Sequence, residues 1–399
     1  MYKFFTVLLL LFMVSCQSPA PTAKPYPKGS FGYDLDFLRR HDSIVVLQRG
    51  EAALALSPKY QAKVFTSTAA GLEGLSFGWI HYAAFDGPLD THMNAYGGEN
   101  RCWLGPEGGP FALFFTPGSK MEFAGWHTPA AFDSEPWSLV EQSDSAATCR
   151  KVMELTNYKG SVFQLRVDRT VTLLDSTAIK VWLGIRAVAG VRGVGYRTAN
   201  TLTNTGSFDW DEKRGMPCLW ILDMFPPSTQ TTIAIPFRGD SAAKPATTDY
   251  FGAIPPDRLR IIDSVLYFKA DGRSRGKLGI HPAAAQDKAG SYDAAAGVLT
   301  IILYDHDPMG RYLNQQWRPD VAPFSGDAMN AYNDGPLADG KQMGPFYELE
   351  SVSPAAFLPP GHSMIHRHSV FHFTGDEAGL DYICRRTLGV SLNQLKTVF

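Results

Sequence analysis

Period-two alternation dominates the middle of the chain. From Gln164 to Leu174, Leu165, Val167, Arg169 and Val171 fall on one side, and Arg166, Asp168, Thr170 and Thr172 on the other. One face is largely apolar and the other polar, as in a half-buried antiparallel strand. Comparable runs rich in Val, Thr, Leu and Ile, punctuated by Gly, Pro or Asn, predict strands over residues 44–48, 52–56, 62–67, 77–83, 137–143, 148–157, 163–174, 178–189, 194–204, 219–224, 231–236, 265–270, 276–279 and 298–304. Asp271-Gly272 predicts a turn between two of them. Helical patterning is confined to residues 31–43, 376–384 and 390–398. Neither an internal repeat nor a βαβ alternation is present. The expectation is an all-β fold, one domain over residues 31–399, with two large antiparallel sheets packed face to face.

The densest chemistry falls between Phe346 and Phe373, which reads as strand, Pro/Gly corner and strand, a hairpin-like unit. Alternation puts Glu348 and Glu350 on one face of the first strand, and His366, His368 and His372 on one face of the second. Carboxylates and imidazoles held on regular elements suit acid–base work. His-x-His on a strand also aims two imidazoles one way, so a metal-dependent reading through His366 and His368 stands as an alternative. Four residues, not five, separate Gly361 from His366, and no Glu follows His368 at three or four, so the spacing of a cupin metal site is not met. The bland reading makes these histidines strand-pairing or surface groups.

Two further segments carry candidate binding groups. Residues 93–109 bracket Glu99, Asn100, Arg101 and Trp103 between glycine pairs. Glycine lets a ligand approach the backbone, and a guanidinium beside an aromatic face suits sugar hydroxyls and ring C–H groups. Tight turns around a buried Trp account for the same residues. Residues 314–336 hold Trp317, Asn330 and Asp334 among amides and aromatics, either a carbohydrate rim or a surface loop. His127, after Trp126, is a candidate acid or a structural loop histidine. The charged stretch 204–220 and Asp305-His306-Asp307 read first as solvated polar segments.

Composition narrows the classes. With 45% hydrophobic and 19% charged residues among 399, the chain is of folding composition. A net charge of −2 without a basic run argues against a nucleic-acid partner. A Gly-Lys-Ser/Thr phosphate loop is missing, and no cofactor is expected. Lys3, the apolar run from Phe4 to Val14, and Ser15-Cys16 make a secretory signal over residues 1–15. The Met-Val-Ser-Cys sequence resembles a bacterial lipoprotein cleavage site, which implies lipid on Cys16 and a Pro-rich tether to residue 30. The expected location is the bacterial cell envelope, lipid-anchored to the outer membrane and facing the periplasm. Cys102, Cys149, Cys218 and Cys384 read as buried thiols or as one disulfide.

Leu349-Glu350, Pro354, Leu358, Pro360-Gly361 and Val370-Phe371-His372-Phe373 stand in the order of the base-bearing segment of the galactose mutarotase-like superfamily, which the chain resembles. Gly97-Gly98-Glu99-Asn100-Arg101 looks like that superfamily's early Asn-Arg element, and Leu202-Thr203-Asn204 like its central strand. From Tyr33 onward the chain also resembles the bacterial lipoprotein families of this superfamily, including DUF6786. The resemblance implies a β-supersandwich that recognises carbohydrate, with Glu350 as general base, Glu348 beside it and Arg101 on the sugar. Where mutarotases place a catalytic His after the central Asn, this chain has Gly206, Ser207 and Phe208. His127 or His92 is the remaining acid candidate. The implied activity is epimerase- or mutarotase-like, with a non-catalytic carbohydrate-binding lipoprotein as the alternative.

Overall fold

The computed structural model describes residues 25–239, 244–337 and 339–399. The expected signal segment 1–15, Cys16 and most of the tether lie outside the described residues.

In chain order the elements are α1 (Phe31–Leu38), β1 (Val45–Arg49), β2 (Ala52–Ser57), β3 (Lys63–Thr68), β4 (Arg101–Gly105), β5 (Ser138–Gln142), β6 (Ala146–Thr156), β7 (Val162–Leu173), α2 (Ser176–Leu183), β8 (Val191–Asn204), β9 (Cys218–Phe225), β10 (Thr231–Pro236), β11 (Ala246–Thr247), β12 (Leu259–Ile262), β13 (Val265–Lys269), β14 (Gly276–Ile280), β15 (Lys288–Asp293), β16 (Val298–Tyr304), β17 (Met329–Asn333), β18 (Tyr347–Val352), β19 (Ser363–Gly375), α3 (Glu377–Leu388) and α4 (Leu392–Thr397). A ten-stranded sheet runs β12-β13-β10-β15-β16-β19-β8-β7-β6-β5, and a six-stranded sheet β11-β14-β17-β18-β9-β4. β1, β2 and β3 form a small third sheet. Both large sheets are antiparallel throughout and contribute side chains to one shared apolar core. Helices α3 and α4 bury Leu380, Ile383, Leu388, Leu392 and Leu395 in a second cluster with β10, β16 and β19. The two-sheet all-β architecture is the expected one.

The expected strand over 178–189 is instead α2 and a loop. Asp175 accepts from the backbone N–H groups of Thr177 and Ala178, and Gly184 closes the helix at φ 62°. Caps at both ends outweigh the β-branched content. Residues 77–83 supply an isolated bridge, Ile80 to Gly97, and enter a short 3₁₀ turn at Tyr82–Phe85. Strands β4, β15 and β17 form in segments that lacked a clear strand pattern. Asp271-Gly272 joins β13 and β14, which belong to different sheets, so it marks a change of layer.

The largest departure concerns β18 and β19, which do not pair. β18 lies between β9 and β17, and β19 between β8 and β16. Residues 353–362 carry the chain from one sheet to the other. His366, His368 and His372 therefore point across the interlayer, where polar partners meet them. Ser351 Oγ lies 2.9 Å from His366 Nε2 and 2.8 Å from His368 Nδ1. His368 Nε2 is 2.8 Å from Asp223, and His372 Nε2 3.1 Å from Glu99. Ser351 thus joins His366 to His368, and His368 carries the chain on to Asp223. Arg169, wholly buried, donates to Asn200, Asn100 and the Ala62 carbonyl.

Burial, with the neighbouring His368 as a smaller cause, lowers the His366 pKa from 6.5 to about 3. The folded state thus holds the neutral ring, and its stability is complete above pH 6.5 and falls as pH drops toward 3. Urea unfolding between pH 7 and 4 is expected to show declining stability, limited to about 1.4 kcal/mol per pH unit for this group. His366→Asn should flatten that slope; an unchanged slope would remove His366 as its source.

Candidate functional site

The outward face of the six-stranded sheet carries the opposite set of side chains. Backbone register arranges them in rows. Lys277, Tyr332, Glu348 and Met224 form one row across β14, β17, β18 and β9. Gly279, Asn330, Glu350, Leu222 and Arg101 form the next, across β14, β17, β18, β9 and β4. Trp220 and Trp103 sit opposite each other in the third. Gly279 is required where it stands, because a Cβ there would meet an Asp327 carboxylate oxygen at 2.0 Å.

These rows floor a cleft with two adjoining lobes of about 120 and 400 Å³. The larger falls in the roughly 300–1,000 Å³ range of small-molecule sites. Loops raise the walls: Glu107, Phe123, Trp126, Phe251, Trp317, Leu337 and Met343. Four of the chain's eight tryptophans, Trp103, Trp126, Trp220 and Trp317, line the first lobe. Trp126 and Trp317 stack at 5.8 Å between centroids, while Trp103 and Trp220 meet edge-on at 5.6 Å. Phe123 and Phe251 stay exposed on the rim.

Charges are paired in the floor. Arg101 donates to Glu348 at 2.5 Å and lies over the Trp103 ring. Lys277 donates to Glu350 Oε2 at 3.0 Å, as does Trp220 Nε1 at 2.8 Å. Desolvation raises the Glu348 pKa, the Arg101 guanidinium opposes it and the Glu350 charge adds to it. Desolvation likewise raises Glu107, against the opposing pull of the Lys277 ammonium. For Lys277 burial works downward, yet Glu350, Glu107 and Glu348 together raise it and hold the ammonium charged. Two carboxyl groups whose pKa values burial raises thus share a cleft with a fixed cation, an arrangement that can give and take protons.

The sequence candidates separate on this geometry. Arg101, Trp103, Glu348 and Trp317 line the cleft. Glu350 lies in the same floor but is fully buried beneath Trp220 and Lys277, and it is not among the lining residues. Asn330 is beside it, 3.5 Å from the Tyr250 hydroxyl. Asp334 accepts from Tyr332, a lining residue, at 2.9 Å. Glu99 and Asn100 face the interlayer, on His372 and Asp223. His127 is exposed in the rim loop, its ring stacked on His92 at 4.6 Å and its Nδ1 on the Thr91 carbonyl. His366 and His368 lie on the far side of the sheet. No three His, Cys, Asp or Glu side chains converge as metal ligands among the described residues. Cys102, Cys149, Cys218 and Cys384 are buried free thiols.

Sequence reading passed over Lys277, Glu107, Arg275 and Trp220. Lys277 left a signal, being the lone charge in Gly-Lys-Leu-Gly-Ile. Glu107 and Arg275 sit in loops whose meeting point depends on the fold.

Family of unknown function DUF6786 matches residues 29–399. No curated protein matches the sequence. Among solved structures, the Slr1438 protein from Synechocystis sp. PCC 6803 shares the fold at TM-score 0.51 and 15% identity, covering 84% of this chain and 96% of its own. A galactose mutarotase-like protein from Lactobacillus casei ATCC 334 aligns at TM-score 0.49 and 13% identity, over 83% and 100%. A putative aldose 1-epimerase from Escherichia coli K12 aligns at 0.48 and 14%, over 83% and 98%.

Replacing Lys277 tests the floor. Lys277→Met leaves the Glu350 charge buried without its cation and is expected to cost about 3–5 kcal/mol in chemical denaturation. The double variant with Glu350→Leu should recover most of that loss. A single-variant cost below about 1 kcal/mol would mean that the pair is not ionised.

Proposed function

Since the chain belongs to the DUF6786 family, a family of unknown function, its activity is to be read from its own cleft, and we propose that this cleft binds carbohydrate. The observation that carries the reading is the union of four indoles with the hydrogen-bonding groups of Arg101, Glu348 and Lys277 in the floor and Glu107 in the wall. Indole faces stack on the C–H faces of sugar rings, and charged groups between them take directional bonds from hydroxyls. The sequence resemblance to the galactose mutarotase-like superfamily points the same way.

The raised carboxyl pKa values favour catalysis as a second reading, acid–base chemistry of the epimerase or mutarotase kind. Anomer exchange needs a proton taken from the C1 hydroxyl and one given to the ring oxygen. Glu348 and Glu107 are the carboxyl groups that reach the cleft. Glu350 fixes Lys277 and Trp220 from below and holds the ammonium charged. On this reading the acid missing after Asn204 is supplied by a carboxylic acid. For location, we propose export and lipid anchoring through Cys16, as the first 16 residues suggest.

Titration with mono- and oligosaccharides should quench tryptophan emission, and Trp317→Ala should weaken binding about tenfold, roughly 1.4 kcal/mol. A panel that produced no binding would end the carbohydrate reading. Exchange NMR of a bound reducing sugar separates enzyme from binder. Glu348→Gln and Glu107→Gln should each slow anomer exchange by about 10²–10⁴-fold while leaving affinity within a few-fold. Exchange at the uncatalysed rate in the wild type would leave a binding protein. Cys16→Ser should abolish incorporation of labelled fatty acid in a bacterial host; undiminished labelling would sink the anchor.

A further inference from the structure

Three cations line the cleft, and they are not equivalent. Arg101 is bound to Glu348 and Lys277 to Glu350. Arg275 lines both lobes and has neither an ion pair nor a side-chain hydrogen bond among the described residues. Its guanidinium carbon lies 3.8 Å from the centroid of the exposed Phe251 ring. Stacking holds the planar group flat while its N–H donors stay free at its edges. The carboxylate on the adjoining chain, Asp334, is already engaged by the Tyr332 hydroxyl at 2.9 Å and the Gly344 backbone N–H at 3.1 Å.

Other lining groups show the same imbalance. Gln315 Nε2 and Arg101 Nε are buried N–H donors without an acceptor among the described residues. Gln315 and Arg101 are each more than nine-tenths buried. Opposite them the cleft offers the Glu107 carboxyl, which burial pushes toward its neutral, donating form. Unpaired donors and a preorganised guanidinium call for a ligand rich in acceptors and negatively charged.

We propose that the ligand is a sugar bearing an anionic group, and that Arg275 is the residue that reads that group. The proposal rests on the carbohydrate reading and narrows it. A carboxylate or a phosphate would take the guanidinium edge in two parallel hydrogen bonds, while the sugar ring lies between the Trp126–Trp317 stack and Phe251. Arg275 then sets specificity without taking part in proton transfer.

Calorimetric titration of the intact protein with glucuronate, galacturonate, glucose, galactose and glucose 6-phosphate tests this, with Arg275→Gln and Arg275→Lys alongside. Wild type should bind at least one acidic sugar about tenfold or more tighter than its neutral parent. Arg275→Gln should reduce that preference to within about threefold, through a larger loss of acidic-sugar than of neutral-sugar affinity, and Arg275→Lys should keep part of it. Preference for the uronates or for the phosphate ester identifies the anion and supports the proposal either way. Equal affinity for acidic and neutral sugars, or a preference that survives Arg275→Gln, overturns it and leaves the carbohydrate reading standing. Failure of every probe to bind removes both.

Discussion

The pleat of β18 is the constraint on which the rest of the molecule depends. Six residues alternate across one backbone in the middle of a sheet. Glu348 and Glu350 turn outward to the cleft floor, while Tyr347, Leu349 and Ser351 turn inward. Ser351 bridges His366 and His368, and Tyr347 reaches Ser291. A slip of one residue would exchange the two faces. It would put carboxylates against histidines between the sheets and leave the cleft with apolar side chains. Pairing on both edges, with β9 and β17, fixes the register.

Both faces carry charge out of water, and they balance it differently. In the interlayer, imidazoles and the Ser351 hydroxyl pass hydrogen bonds along a chain that ends on Asp223. In the floor, cations stand paired with carboxyl groups, Arg101 with Glu348 and Lys277 with Glu350. Buried pairs add little net stability, because desolvation of each ion offsets their attraction. Their retention in a cleft wall is easier to understand as electrostatic preorganisation, since fixed charges there need no rearrangement when a ligand arrives.

The fold was largely legible. Alternation between Gln164 and Leu174 put Arg169 on the apolar side, and Arg169 is indeed buried. The strand expected over 178–189 failed because helix caps at Asp175 and Gly184 are local signals that outweigh average propensity. The site was legible by halves. Period two correctly put Glu348 and Glu350 on one face, and three histidines on one face. It carries no information on whether two successive strands pair, so a hairpin was inferred where the chain changes sheets. Glu99 and Arg101 were equally hidden. Two residues apart at the entry to β4, they serve different faces, because Glu99 precedes the strand and turns to His372. Glu107 and Arg275 are far apart in sequence and meet through the topology alone.

The cleft is made of two kinds of material. Its floor is set by interstrand hydrogen bonding, so Lys277, Glu348, Glu350 and Arg101 hold positions that the backbone dictates. Its walls come from separate loops, the connections around Glu107, Phe123, Phe251, Trp317 and Met343. Loops accept insertions and exchanges that strands do not. The architecture therefore uncouples two evolutionary variables. The buried charges of the floor are anchored in strands, and the shape of the cleft is free to drift with the loops that overhang them.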